Sequence, residues 1–197
     1  KKALELVAKA LESDAKNVRA LALRAKIGLG KKEWAEAKKD LERLIASGVD
    51  GPWIQEGLAF VAETMKDAPR AIKHLEKAIA LNPRSGSPYY VLIRLLDDAK
   101  RDKEAYAWRK RLTRIDQMNI KLVHALLSTG PSQGASPKEL LSWGEMGNHI
   151  APFSVKHHLV FAKVLIGLGK RQKARYELKS ALLIEPEHAE ATKLLKQ

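Results

Sequence analysis

The chain has 197 residues, of which 45% are hydrophobic and 30% charged, the balance of an ordinary water-soluble protein, and it contains no cysteine. Disulfides and thiolate metal sites are therefore excluded, and the longest apolar runs, such as 58–62, fall far short of the roughly 20 residues a membrane-spanning helix needs. Lysine and arginine number 36 against 23 acidic residues, a formal net charge of +13. Such a balance favours acidic proteins, nucleic acid or anionic membranes when it is concentrated on one surface. Here basic residues run along the whole chain and often alternate with acids, the pattern of solvated helix faces.

In chain order, the first predicted element is a helix over 2–13. A second covers 18–29 and ends at the polar turn Gly30-Lys31-Lys32-Glu33. The next carries Ala37, Leu41 and Leu44 on one face. Residues 52–65 form another helix, followed by the turn Lys66-Asp67 and an amphipathic helix bearing Ala71, Leu75 and Ala78. Pro83 ends that helix, because proline lacks an N–H and disfavours helix in the residue before it. Over 87–99, Tyr89, Leu92, Ile93 and Leu96 make an i, i+3, i+4, i+7 stripe. The turn Lys100-Arg101-Asp102 leads to a helix with Ala105 and Leu112.

A helix over 120–128 then runs into a Gly-, Pro- and Ser-rich segment, 129–136. Ser136 reads as a helix cap with Pro137 at the first helical position, and that helix is expected to end near Gly147-Asn148. Residues 155–168 place His158, Phe161, Ala162 and Leu165 on one stripe. After Gly169-Lys170-Arg171, a helix carrying Ala174, Leu178 and Ala181 stops before Pro186. Residues 189–197 open a further helix.

These elements repeat. Ala3, Ala37, Ala71 and Ala105 are 34 residues apart. The next step gives Glu139, and one residue of slippage then brings Ala174. Four positions later the series reads Val7, Leu41, Leu75, Arg109, Trp143, Leu178; seven later, Ala10, Leu44, Ala78, Leu112, Met146, Ala181. A fixed period of this length marks a stacked helical array in which each unit buries its apolar face on its neighbours.

On these residues the sequence resembles the tetratricopeptide repeat family. The best matching unit carries Phe161, Ala162, Leu165, Ala174, Leu178, Ala181 and Pro186; another carries Leu58, Ala59, Ala71, Leu75, Ala78 and Pro83. The resemblance implies an all-α fold, a right-handed α-solenoid of antiparallel helix pairs with about five repeats. It further implies a single domain over 1–197: a partial repeat 1–17, repeats 18–51, 52–85 and 86–119, a degenerate repeat 120–154, a repeat 155–188 and a terminal helix 189–197. Arg24, Gly28, Arg109 and Glu139 depart from the pattern. Because both ends fall inside repeats, the natural protein is expected to extend further, at least on the N-terminal side.

No catalytic constellation emerges. The runs Gly28-Leu29-Gly30-Lys31 and Gly167-Leu168-Gly169-Lys170 lack P-loop spacing and its Ser or Thr. No two of His74, His124, His149, His157, His158 and His188 have the i, i+4 spacing of a zinc helix, and His158 reads as a core residue. The expectation is a protein that is not an enzyme and carries no cofactor or metal.

In tetratricopeptide arrays the first helices line a groove, and the resemblance implies that Arg19, Lys26, Trp53, Glu56, Phe60, Tyr90, Arg94, Lys156 and Lys163 face a partner. Trp53, following Pro52, is read as exposed, while Phe60 is open between packing and partner contact. The expected role is a protein–protein interaction scaffold for a protein or peptide ligand of acidic character, within a larger assembly; the unfinished terminal repeats also offer self-association. One alternative is binding of nucleic acid or anionic membrane through Lys100, Arg101, Arg109, Lys110, Arg111 and Arg114, or through Lys170, Arg171, Lys173, Arg175 and Lys179. Another is a recruiting arm of a larger enzyme. Segment 129–136 is expected to be the least regular part, a recognition element or a hinge. The expected setting is the cytoplasm or a bacterial periplasm, with any tether outside these residues.

Overall fold

Asparagine, aspartate and serine recur just ahead of the apolar stripes, and each closes a helix N-terminus in the computed structural model, which describes residues 2–196 (the side chain of residue 3 excepted). The helices are α1 (Lys2–Ser13), α2 (Val18–Lys31), α3 (Trp34–Ala46), α4 (Pro52–Thr64), α5 (Ala68–Leu81) and α6 (Ser87–Asp98). They continue with α7 (Asp102–Leu112), α8 (Ile120–Thr129), α9 (Pro137–Ile150), α10 (Val155–Gly167), α11 (Arg171–Ile184) and α12 (Ala189–Leu195). Asn17, Asp67, Asn119 and Ser154 each accept a backbone N–H from three residues on, at 3.0–3.2 Å. These side chains satisfy donors that a helix cannot pair internally. Among the described residues every regular element is helical, as the repeat period requires. Of the terminal helix expected over 189–197, residue 197 lies outside the described residues.

Two compact units divide between Ala99 and Lys100. In the first, α2 packs on α3, α4 on α5, and α5 on α6; in the second, α8 packs on α9 and α10 on α11. Leu21, Ala25, Leu41, Leu44, Ile54 and Leu58 form a buried cluster in the first unit. Leu159, Ala162, Leu178, Ala181 and Ala191 form one in the second. Ala37, Ala71, Ala105 and Ala174 are all at most 2% exposed, so the small residues of the period lie in the core.

The period is also written in the backbone. Lys32, Lys66, Lys100, Gly134 and Gly169 have φ between 58° and 77°, the left-handed region, and each sits at the turn joining the two helices of a repeat. The following residue donates its N–H to the carbonyl five back in four of these turns: Glu33 to Gly28, Asp67 to Ala62, Ala135 to Gly130 and Lys170 to Leu165, at 2.8–2.9 Å. This closure satisfies carbonyls that the ending helix leaves free.

Segment 129–136 is consequently no open loop. Helix α8 passes into a 3-10 turn over Pro131–Gln133, Gly134 takes the left-handed position, and the same closure follows. The unit boundary lies upstream of it, at Ala99 and Lys100. The irregularity is a single inserted residue. In the other repeats the N-cap position of the second helix is the residue right after the left-handed one (Glu33, Asp67, Arg101, Lys170), whereas in α9 it is Ser136, leaving Ala135 as the extra residue.

That placement corrects the sequence register. The slip precedes Glu139 instead of following it, so Leu140 and Gly147 occupy the positions at which the series reads Glu139 and Met146. Leu140 and Gly147 are buried, and Glu139 is free to complete a capping box with Ser136. Close approach is supplied by glycine here. A Cβ on Gly144 would lie 2.0 Å from the Phe161 ring, and one on Gly147 would lie 2.0 Å from His157. The helix also runs to Ile150, three residues past the expected end at Gly147.

Candidate functional site

Three polar pairs tie first helices to second helices at one register position. His158 Nδ1 lies 2.6 Å from Glu177 Oε2, and His74 Nδ1 lies 2.8 Å from Gln55 Oε1, both pairs 19 residues apart. In the first repeat Leu21 holds the corresponding place, and Asp40 turns to Arg24 instead, in a two-pronged pair of 2.6 and 2.7 Å. Asp40 is 1% exposed, and its carboxylate raises the Arg24 pKa above the ordinary guanidinium value. The departure at Arg24 is thus the partner of a buried acid. His158 Nε2 donates to Pro152 O at 2.9 Å and Asn148 donates to Glu177 at 2.9 Å, so this buried pair is internally satisfied and structural. His158 is a core residue, as its stripe position predicts.

The first helices of unit one carry the groove candidates. Phe60 on α4 and Tyr90 on α6 are 48% and 44% exposed. Phe60 also meets the Trp34 ring edge-on at 5.2 Å, so it both packs and faces solvent. Beside it lies a cavity of about 190 Å³ lined by Glu56, Ala59, Phe60, Glu63, Pro88 and Val91, among others. Arg94 donates to Glu63 at 2.6 Å and approaches Asp98 at 3.6 Å, which fixes its guanidinium at the cavity's edge. Helices α4 and α6 carry Glu56, Glu63, Asp97 and Asp98 against the single cation Arg94, so this face is acidic.

Other expected positions lie elsewhere. Trp53 is not a free-standing anchor: it packs on the Leu21–Leu58 cluster, half-buried, with Lys26 Nζ 4.7 Å over its ring. Burial of so large a ring outweighs the exposure suggested by its place after a helix-initiating proline. Arg19 is exposed on α2. Lys156 and Lys163 are exposed on α10 in unit two, where Lys163 pairs with Glu190 at 2.7 Å. Of the expected partner-facing positions, Glu56 and Phe60 line one cavity and Arg94 is tied to it through Glu63, with Tyr90 one turn before Arg94 on the same helix. Pro88, Val91 and Trp34 were not foreseen; Trp34 starts a second helix, a position outside the groove pattern.

The first basic cluster is partly engaged, while in the second Lys173 approaches Glu145 at 3.8 Å. Arg101 makes a two-pronged pair with Glu104 at 2.7 Å, and Lys110 lies 3.2 Å from Glu139 and over the Tyr106 ring. Arg111 covers the Trp108 ring at 4.4 Å, and Trp143 is buried. Among the described residues no group of three or more histidine, aspartate or glutamate side chains is placed to hold a metal ion. Nor is any helix there long and apolar enough to cross a membrane.

The helix pairs, the 34-residue backbone period and the small-residue contacts define the fold of a tetratricopeptide-repeat solenoid. Residues 64–129 match the family model described as Tetratricopeptide repeat. The solved tetratricopeptide protein YrrB, described as having an unusual peptide-binding site, is similar in fold with a TM-score of 0.61 and 18% identity, over 98% of this chain and 100% of that one. MamA structures are also similar. The AMB-1 form has a TM-score of 0.60 at 15% identity, covering 93% of this chain and 100% of that one. A form from Desulfovibrio magneticus RS-1, residues 41 to the end, has 0.51 at 13%, covering 87% and 97%. No curated protein matches the sequence.

Proposed function

We propose that the chain is a non-catalytic scaffold that holds a partner protein or peptide on the first-helix faces of its repeats, as one part of a larger assembly. The observation that carries this reading is the pairing of exposed Phe60 and Tyr90 with the cavity edged by Glu56, Glu63 and Arg94. Aromatic rings that keep nearly half their surface in water, beside a fixed charge pair, suit a ligand with an apolar anchor and a defined register. The acidity of α4 and α6 selects a basic residue next to that anchor, so an acidic ligand is not favoured at this face. The fold supports the general role, and the peptide-binding site described for YrrB belongs to a protein of the same fold.

A pull-down with the purified chain at low and high salt tests the reading. A discrete protein retained at high salt and lost from Phe60→Ala and Tyr90→Ala variants is the expected result. Recovery of mostly nucleic acid or anionic lipid, released steeply by salt, would assign the function to the basic surfaces instead.

A further inference from the structure

Three histidines meet in the core of unit two, where the α8–α9 hairpin packs on the α10–α11 hairpin. His124 on α8 lies flat against His157 on α10, with ring centroids 5.3 Å apart and planes 9° from parallel. His158, the next residue of α10, is 6.1 Å from His157. His157 and His158 are 0% and 5% exposed.

The three rings are not equally prepared for a second proton. His158 has an oxygen at each nitrogen, Glu177 Oε2 at 2.6 Å and Pro152 O at 2.9 Å, so an added proton meets an acceptor. His157 donates from Nε2 to Gly144 O at 3.0 Å, and its Nδ1 is buried with no hydrogen-bond partner. His124 Nε2 is buried and unpartnered as well. Polar atoms inside a folded protein are nearly always paired, which sets two orphans in one ring stack apart. The His157 Nδ1 lies against the α9 backbone, where a Cβ on Gly147 would be 2.5 Å away, so water reaches it only if the two hairpins separate.

The charged and titratable groups that bear on the stack are Lys156 and His158 on α10 and Glu177 on α11. Helix α8 brings His124 itself, and α9 presents the Gly144 carbonyl and the Gly147 backbone. Glu177 is already taken by His158 and by Asn148 of α9. A cation on either stacked ring therefore finds its neighbour and a lysine, with no carboxylate of its own. Burial, and then His157 and Lys156, lowers the His124 pKa below the ordinary 6.5; burial lowers that of His157, partly opposed by its bond to Gly144 O.

We propose that the His124–His157 stack is an acid-opened latch: taking up protons in mild acid, it parts the α8–α9 hairpin from the α10–α11 hairpin while unit one stays closed. Both rings bind protons more readily once the seam opens and water reaches them. The open form is thus favoured as pH falls below about 6.5 and disfavoured as it rises. Each histidine shifts the opening equilibrium by up to about tenfold between pH 7.5 and 5.5, and the two together by up to about 100-fold.

The test is hydrogen exchange on the full chain at pH 7.5 and 5.5, corrected for intrinsic exchange, with the histidine ring signals followed by NMR over the same range. The expected result is a loss of protection in α8 and α10 approaching about 100-fold, against no more than about tenfold in unit one, whose single histidine is His74. Either His124→Asn or His157→Gln leaves one proton to act and should cut the acid effect in α8 and α10 to about tenfold. His149→Asn, at an exposed position of α9, should leave it unchanged. Should the fully buried His157 not tolerate replacement, the half-buried His124 and the NMR titration of the unaltered chain still decide. Unchanged protection of α8 and α10 at pH 5.5, an equal loss in both units, or the full acid effect surviving in His124→Asn would each overturn the proposal. So would titration of both rings near the ordinary value with the seam still protected.

Discussion

Three of the five repeat turns hold lysine in the left-handed region, and replacing each by glycine should stabilise the chain. Lys32, Lys66 and Lys100 have φ of 64°, 59° and 58°. An L-residue there brings Cβ close to the following carbonyl oxygen, at a cost of roughly 1–2 kcal/mol. Glycine escapes that cost but loses more conformational freedom on folding, worth roughly 0.5–1 kcal/mol. All three lysines are exposed, so little packing is lost with the side chain. The net expected gain is about 0.5–1 kcal/mol for each of Lys32→Gly, Lys66→Gly and Lys100→Gly. The turns are far apart in sequence and share no partner, so the triple variant should gain about 1.5–3 kcal/mol. The reverse change, Gly169→Lys at φ 70°, should lose a comparable amount, about 1 kcal/mol. Urea unfolding followed by circular dichroism reads the shift in midpoint. Loss of stability in Lys66→Gly together with a neutral Gly169→Lys would refute the assignment of strain to these turns.

Removing the Asp40 carboxylate with Asp40→Ala should cost about 2 kcal/mol, since its pair with Arg24 is two-pronged and the acid is buried. Denaturant midpoints check this, and Arg24→Met in the same chain should recover part of the loss. Gly147→Ala should cost more than about 3 kcal/mol by driving a methyl into the His157 ring, whereas Gly167→Ala, where the space is open, should gain about 0.5–1 kcal/mol by helix propensity; thermal melts compare the two. Stability should also fall as pH drops below about 6.5. Burial lowers the pKa values of His74, His124 and His157 from their ordinary 6.5, so between the folded and unfolded values the unfolded chain binds more protons and stability rises with pH. Urea midpoints at pH 7.5 and 5.5 measure the slope, and His157→Asn should flatten it. The carboxylates held low by Lys77, by Ser136 and by Lys163 (Asp50, Glu139 and Glu190) titrate well below this window.

The helical class, the period and the paired helices are legible in the sequence because alanine and leucine at fixed spacing leave few other ways to bury an apolar stripe. The degenerate repeat is harder to read. Counting residues placed the slip after Glu139, since alanine was the expected small residue and Gly144 and Gly147 carry no apolar signal. Only the distances to Phe161 and His157 reveal that glycine does alanine's job there. The half-burial of Trp53 is not legible in the sequence, because a helix start says nothing about the neighbouring helix, whose Lys26 covers the ring. The polar pairs on Asp40 and Glu177 are likewise invisible to hydropathy, which scores a buried acid as surface. The exposure of Phe60 on a first helix was readable from the repeat resemblance. Its edge-on contact with Trp34 was not, because that contact joins residues of different repeats.

The place of Ala135 bears on how such a chain can change length. A residue inserted inside a helix turns everything after it by about 100°, since each residue advances the helix by 1/3.6 of a turn. That rotation would carry Leu140 and Gly147 off the packed face and strand the following hairpin. At the elbow the added residue is absorbed before the Ser136 cap restarts the count, and α9 still meets α10 through Gly144 and Gly147. The elbows are therefore where this chain can gain or lose residues without scrambling the stack, and where a foreign segment could be grafted into it.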